Sequence, residues 1–413
     1  MVKITPFDVE QWMDAYESTP EVLNVAETCC SSISIDELVQ FDERCRGDDG
    51  DKASRRDGSA FPLDLGTRLT YGAIRGSEEL RSHISGMYRD APGSPNVVPP
   101  EQVLITQGAI SANHLVFYTL VGPGDHVICV YPTYQQLYAV PESLGAEVSL
   151  WELQEADGWI PDVGKLKALV KDNTKMIVVN NPNNPTGATT PRDILASIVE
   201  VARKYDIIVL SDEVYRPLFH RATETTPPPS MAAMGYEKVV VTSSLSKAWA
   251  LAGIRVGWVA SPNRGLTEQL AAARDYTTIS VSQLDDQVAR YALHPSVRGG
   301  LLSRNLELAV RNLALLSRFV EAHRGQVSWV KPTAGTTAFI RFNSDKHGGD
   351  PVEDVQFCRD VLEKTKVMLV PGSKCFGHRH TFQGYVRMGY VCETAVLEES
   401  LTRLDSYLKE HLN

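Results

Sequence analysis

The run Ser244-Leu245-Ser246-Lys247, followed by Gly253-Ile254-Arg255-Val256-Gly257, carries the clearest chemistry in this sequence. An amine flanked by hydroxyls after a buried strand can condense with a carbonyl to form a Schiff base. Arg255 can hold a phosphate in its planar fork. Alone, a lysine after a strand is more often a surface residue, so the fragment needs company. Three other fragments supply it. Thr106-Gln107-Gly108-Ala109-Ile110 ends a strand and opens a helix, where backbone N–H groups receive an anion, although an ordinary strand–helix turn reads the same way. Asn183-Asn184-Pro185-Thr186-Gly187 follows the strand MIVVN, and its plainer reading is an Asn-Pro turn. Ser211-Asp212-Glu213-Val214-Tyr215 follows IIVL. An acid at the C-terminal end of a buried strand lies where α/β folds put their sites, with a capped helix start as the bland alternative.

The elements that must position these groups are legible as short β-branched runs. They fall at Val103–Thr106, His126–Val130, Glu147–Trp151, Met176–Val179, Ile207–Leu210, Val239–Thr242 and Arg255–Val259. Several alternate little between polar and apolar, which predicts strands buried on both faces. Helical patterns such as Ile194–Tyr205 separate them, giving an α/β fold with a mostly parallel central sheet flanked by helices. The ends read differently. Asp8–Tyr16 has the pattern of a short amphipathic helix, Thr337–Phe342 and Val367–Val370 read as strands, and Thr394–His411 reads as a closing helix. Glu43–Gly58 and Thr223–Ser230 read as loops, one charged and glycine-containing, the other proline-rich. The expected division is an N-terminal arm and part of a small domain over 1–60, a large domain over 61–290, and a C-terminal small domain over 291–413.

Composition narrows the function classes. A net charge of −10 disfavours a nucleic-acid partner, which wants a basic face. No window reaches an apolar run of about 20 residues, so no membrane span is expected, and the first residues lack a signal-peptide stretch. The seven cysteines form no CxxC pair, and the reading is reduced thiols in a cytoplasmic protein. His378-Arg379-His380 has no nearby carboxylate, so a surface loop is favoured and no metal site is expected.

Together the motifs resemble the aminotransferase class I/II family, the fold-type I pyridoxal 5′-phosphate (PLP) enzymes, and they run in that family's order from Tyr71 to Arg387. The resemblance implies a PLP cofactor, an L-amino acid substrate and a homodimer with shared active sites. It also implies roles. Lys247 would carry the cofactor. Asp212 would pair with the pyridine nitrogen and keep it protonated. Asn184 and Tyr215 would bond the phenolic oxygen, and Tyr134 would stack on the ring. Gly108, Ala109, Ser244, Ser246 and Arg255 would cradle the phosphate, with Ile110 in the same turn also on the cofactor. Tyr71 would reach the phosphate of the neighbouring subunit. Arg387 would clamp the substrate carboxylate beside Asn184.

Family membership leaves the reaction open. Amino-acid transamination is the leading expectation. Side-chain β/γ-elimination, replacement or cyclisation is nearly its equal. A non-catalytic PLP-binding protein is a remote third, because the expected catalytic side chains are all present. Asn24-Val25-Ala26-Glu27-Thr28 places an acid where many aminotransferases have glycine, and it resembles the Ala-Glu-Asn segment of the aminocyclopropane carboxylate synthases. The plainer reading of Glu27 is a solvated acid near a helix start. Arg274–Ser282 and Ser244–Trp258 are similar to segments of the capreomycidine synthases, which act on an arginine derivative. No second arginine for a dicarboxylate side chain is evident.

Overall fold

The structure is a computed structural model and describes residues 4–42, 62–89, 94–220, 226–344, 349–377 and 382–412. The segment 43–58, the His378–His380 triplet and residues 223–225 of the proline-rich loop lie outside the described residues; 226–230 form no regular element.

Seven strands build the central sheet: β1 (Val103–Thr106), β2 (His126–Tyr131), β3 (Glu147–Glu152), β4 (Thr174–Asn180), β5 (Ile208–Asp212), β6 (Val239–Ser244) and β7 (Gly257–Ala260). Their spatial order is β1-β7-β6-β5-β4-β2-β3. The neighbours from β6 through β3 pair in parallel, and β7 alone runs antiparallel to both β1 and β6. Side chains alternate between two cores. Leu104, Val127, Cys129, Val178, Leu210, Val240 and Val259 join one, and Ile105, Ile128, Val130, Ile177, Val179, Val209 and Val241 join the other. Burial on both faces is why these strands read as continuous apolar runs.

Helix α2 (Gly108–Leu120) covers the first face with Ala112, Leu115 and Val116. Helix α3 (Arg192–Tyr205) covers the second with Leu195, Ile198, Val199 and Ala202, and ends where Asp206 turns left-handed at φ 59°. It starts earlier than its apolar pattern does, because Pro191 supplies the boundary. The expected strand from Arg255 to Val259 is corrected. Arg255 has φ 52°, a left-handed conformation that a strand cannot contain, so pairing begins at Gly257.

A second sheet is centred on β8 (Thr337–Ser344), antiparallel to β9 (Tyr385–Gly389), with Phe339 opposite Arg387. The expected strand Val367–Val370 is two pieces: Val367–Met368 pairs with Leu23–Asn24, and Val370–Pro371 pairs with β9. The first pairing is a separate two-stranded sheet that ties the N-terminal segment to the C-terminal part of the chain. Helix α1 (Asp8–Tyr16) forms as expected because Val9, Trp12 and Met13 make one buried stripe at helical spacing. No helix among the described residues is long and apolar enough to cross a membrane.

Candidate active site

All four motifs converge on one edge of the central sheet. β4 ends at Asn180, β5 at Asp212 and β6 at Ser244, while β1 passes through Thr106 into the start of α2. These are the carboxyl ends of parallel strands, where loops can reach a ligand without breaking the ladder. A cavity of about 410 Å³ opens there. It is lined by Lys247, Asp212, Tyr215, Glu27, Ala109, Ile110, Tyr134, Asn184, Ser244, Ser246, Arg255 and Arg387, all singled out from the sequence. Gly108 stands beside it, against Arg255. Tyr71 is not part of this cavity; it is 80% exposed and borders a separate shallow hollow with Thr70 and Ser282.

At the floor lies Asp212, 3% exposed. Asn113 Nδ2 donates to its Oδ2 (2.9 Å), and the Val214 amide donates to its Oδ1 (3.1 Å). Asn113 is oriented in turn by Thr242, whose hydroxyl donates to its Oδ1 (2.6 Å). Burial pushes the Asp212 carboxyl up to about 6 against these hydrogen bonds. No cation forms a salt bridge with it among the described residues.

Lys247 Nζ points across the cavity, donating to Thr28 Oγ1 (2.5 Å), Glu27 Oε1 (3.4 Å) and Cys29 Sγ (3.4 Å). Burial opposes charge on this amine. Its neighbours Cys29, Glu27, Tyr215 and Tyr134 together outweigh burial, and the amine is held above its ordinary value; burial pushes the Cys29 thiol itself up to about 11. Glu27 is held down to about 2: burial pushes it up, and Lys247 with the Thr28 amide outweighs that. The helix start of the plainer reading is absent: Glu27 belongs to no helix, and its half-exposed carboxylate meets Lys247. The strand β9 explains the position. A Cβ on Gly389 would lie 1.7 Å from the Glu27 carbonyl oxygen, so only glycine lets this segment pass. Thr336 donates to the Thr28 carbonyl (2.6 Å), and the Cys30 amide donates to the Lys247 carbonyl (3.3 Å).

β9 also carries Arg387, 2% exposed. Its Nη2 donates to the Ala26 carbonyl (2.9 Å) and its Nη1 to Asn184 Oδ1 (3.4 Å), over the ring of Phe376. Nε is buried without a partner, and no acid forms a salt bridge with this guanidinium among the described residues. A buried cation of this kind awaits an anion.

Opposite Asp212, the start of α2 has no side-chain cap, so its first N–H groups remain available. Arg255 Nη1 donates to Ser246 Oγ (3.3 Å) and the Ala252 carbonyl (2.9 Å). The approach is close. A Cβ on Gly108 would meet Arg255 Nη2 at 2.6 Å, and one on Gly257 would meet the Gly108 carbonyl carbon at 2.3 Å. Uncapped amides, two hydroxyls and a guanidinium form an anion cradle. Above, Tyr134 packs on Phe7 and its hydroxyl donates to Glu10 Oε1 (2.9 Å) on α1.

Asn113, Thr28, Cys29 and Glu10 were not singled out from the sequence. Asn113 had a signal: a polar residue on the sheet-facing side of an otherwise apolar helix. Thr28 and Cys29 adjoin Glu27, and Glu10 lies in the opening Val9-Glu10-Gln11-Trp12, which weakly resembles the capreomycidine synthases; its partner Tyr134 lies 124 residues away.

A doubly wound sheet with a lysine, a buried acid and an anion cradle at its carboxyl edge defines a PLP enzyme of the aminotransferase type. The chain belongs to the aminotransferase class I and II family, whose profile matches residues 50–404. It is 30% identical to the capreomycidine synthase of Streptomyces vinaceus over 85% of each chain. A crystallised PLP-dependent aminotransferase from Streptococcus suis superposes with a TM-score of 0.85 at 38% identity, covering 100% of this chain and 99% of that one. The PLP-dependent cyclase OrfR superposes with a TM-score of 0.80 at 26% identity, covering 99% and 98%. The family's cofactor is PLP, and the residues fit it. Asp212 is a buried acid with no salt bridge among the described residues, suited to a pyridinium, and the uncapped start of α2 with Ser246 and Arg255 suits a phosphate.

Proposed function

We propose that this enzyme acts at Cα of an L-amino acid, with amino-group transfer as the leading reaction. The observation that carries the reading is the convergence of Lys247, Asp212 and Arg387 on one cavity from elements far apart in sequence. When bound, PLP supplies an electron sink for the pair left at Cα when a bond there breaks. Lys247 holds the cofactor through its amine, and that amine, once displaced, is placed to move the Cα proton. Asp212 keeps a proton on the pyridine nitrogen, for which a buried acid already short of a cation is suited. Asn184 and Tyr215 would hold the phenolic oxygen, Tyr134 the ring, and Ser244, Ser246, Arg255 and the Gly108-Ala109-Ile110 turn the phosphate. Arg387 takes the substrate carboxylate in its planar fork, which aims the remaining Cα bonds.

A second reading, elimination or cyclisation of a functionalised side chain, is favoured by Glu27. It stands beside Lys247, where it can assist departure of a side-chain group. The relationship to a capreomycidine synthase and a cyclase supports the same reading. We also assign a homodimer, in which Tyr71 serves the partner's cofactor; its 80% exposure outside its own cavity supports this. The cysteines described are all free, in keeping with a cytoplasmic setting.

Borohydride reduction followed by peptide mapping should place the cofactor on Lys247. A label on another lysine overturns the assignment. Mixing holoenzyme with single L-amino acids then separates the reactions. Accumulation of pyridoxamine phosphate and a keto acid means transamination, and release of a side-chain group or ammonia means elimination.

A further inference from the structure

The charges lining the cavity do not balance once the groups of the reading above are assigned. Six charged side chains line it: Glu10, Glu27, Asp212, Lys247, Arg255 and Arg387. Cofactor and substrate backbone account for four. Asp212 would pair with the ring nitrogen, Lys247 with the cofactor's carbonyl carbon, Arg255 with the phosphate and Arg387 with the substrate carboxylate. Two carboxylates remain, and no other lysine or arginine lines the cavity.

Neither of the two is free to turn away. Glu27 Oε1 accepts from the amides of Thr28 (2.6 Å) and Cys29 (3.1 Å), which fixes the carboxylate and leaves Oε2 without a hydrogen-bond partner among the described residues. Its one salt bridge among the described residues is to Lys247, the amine that the cofactor would take, while the more distant Arg387 also favours its charge and is assigned to the substrate carboxylate. Glu10 Oε1 accepts from the Tyr134 hydroxyl (2.9 Å). The helix that carries Glu10 is pinned on one side by Trp12 Nε1 donating to the Leu369 carbonyl (2.8 Å) and on the other by the Asp8 amide donating to Gln135 Oε1 (2.9 Å). The buried, unpartnered Nε of Arg387 marks the same cavity as a place for a ligand anion, so the ligand has a carboxylate end to be held there.

We propose that the side-chain end of this site selects amino acids whose side chain terminates in a cation, a guanidinium or an ammonium, with Glu27 as the principal partner and Glu10 as the second. The proposal rests on the cavity being an amino-acid site. An apolar side chain would leave an ionised Glu27 losing water without a partner. An acidic one would add a third anion where no cation is left. A cationic one satisfies both carboxylates, and a guanidinium can bond the open oxygen of Glu27 through its fork. Selection then comes from the unmatched charge the site holds against other side chains.

Isosteric pairs test the charge alone. Holoenzyme is titrated, under single-turnover conditions, with L-arginine against L-citrulline and L-lysine against L-2-aminoheptanoate, with L-glutamate alongside. The cofactor absorbance reports binding apart from product formation. The cationic member of each pair should bind at least tenfold tighter, glutamate should bind worst, and added salt should narrow the gap. In Glu27→Gln the arginine-over-citrulline ratio should fall below threefold. In Glu10→Gln it should fall by a smaller factor. Retained cofactor absorbance and an unchanged melting temperature show that each variant is folded. Equal binding within both pairs, a preference for glutamate, or an arginine preference that survives both substitutions overturns the proposal while leaving the amino-acid reading in place. A cofactor band that responds to none of the five overturns that reading, and this proposal with it.

Discussion

Asp212→Asn in the cofactor-free protein isolates the strain held at the floor of the site. The wild-type carboxyl is raised from 3.8 to about 6, chiefly by burial. A folded value above the unfolded one means that Asp212 stabilises the fold below about pH 4, and that this contribution is lost as the pH rises through 6. Each tenfold change in proton affinity is worth about 1.4 kcal/mol, so the whole loss is roughly 3 kcal/mol. Asparagine has no charge to bury and so has no such slope. Its amide cannot accept from both Asn113 Nδ2 and the Val214 amide, which costs about 1 kcal/mol at every pH. The informative quantity is therefore the change with pH. Urea unfolding of both apo-proteins at pH 5, 6, 7 and 8 should show the variant gaining about 1.4 kcal/mol on wild type between pH 5 and 7, then nothing further. In the holoenzyme the sign reverses. The carboxylate has its cation there, and the same substitution should lower turnover on the order of 10²–10³-fold. Parallel stability profiles for the two apo-proteins would refute the claim that Asp212 is a buried acid awaiting a cation.

Other expectations follow from the same geometry. Gly257→Ala drives a Cβ to 2.3 Å from the Gly108 carbonyl carbon and should destabilise the protein by about 1–3 kcal/mol, with a larger loss in PLP affinity, read by melting temperature and cofactor titration. Asn113→Ala removes a hydrogen bond to Asp212 and should cost about 1–3 kcal/mol. It should also move the pH at which the apo-protein's stability levels off upward, because one group favouring the anion is gone. Mixed Tyr71→Ala and Lys247→Ala proteins should recover part of the wild-type activity in hybrid dimers; a fully active dilute monomer would contradict the shared site.

The strands and their end motifs were legible in the sequence because their causes are local. Burial on both faces makes Met176–Val179 and Val239–Val241 apolar throughout, and turn chemistry marks Gly108 and Asn184 at the strand ends. The failure at Arg255 is local as well: its left-handed backbone interrupts a run that looks like strand, and no side-chain pattern records φ. What only the tertiary structure decided is which distant residues meet. Glu27 and Lys247 are 220 residues apart, and Arg387 reaches the Ala26 carbonyl across 361. Those meetings depend on the absent side chain of Gly389 and on the pairing of Leu23–Asn24 with Val367–Met368. Periodicity reports the environment of one segment, whereas a close approach between two segments is set by packing of the whole chain. The sequence by itself therefore determined the strands, the motifs and the cofactor they serve. The fold decided that an ionised, half-exposed Glu27 stands beside Lys247, and with it the charge of the site.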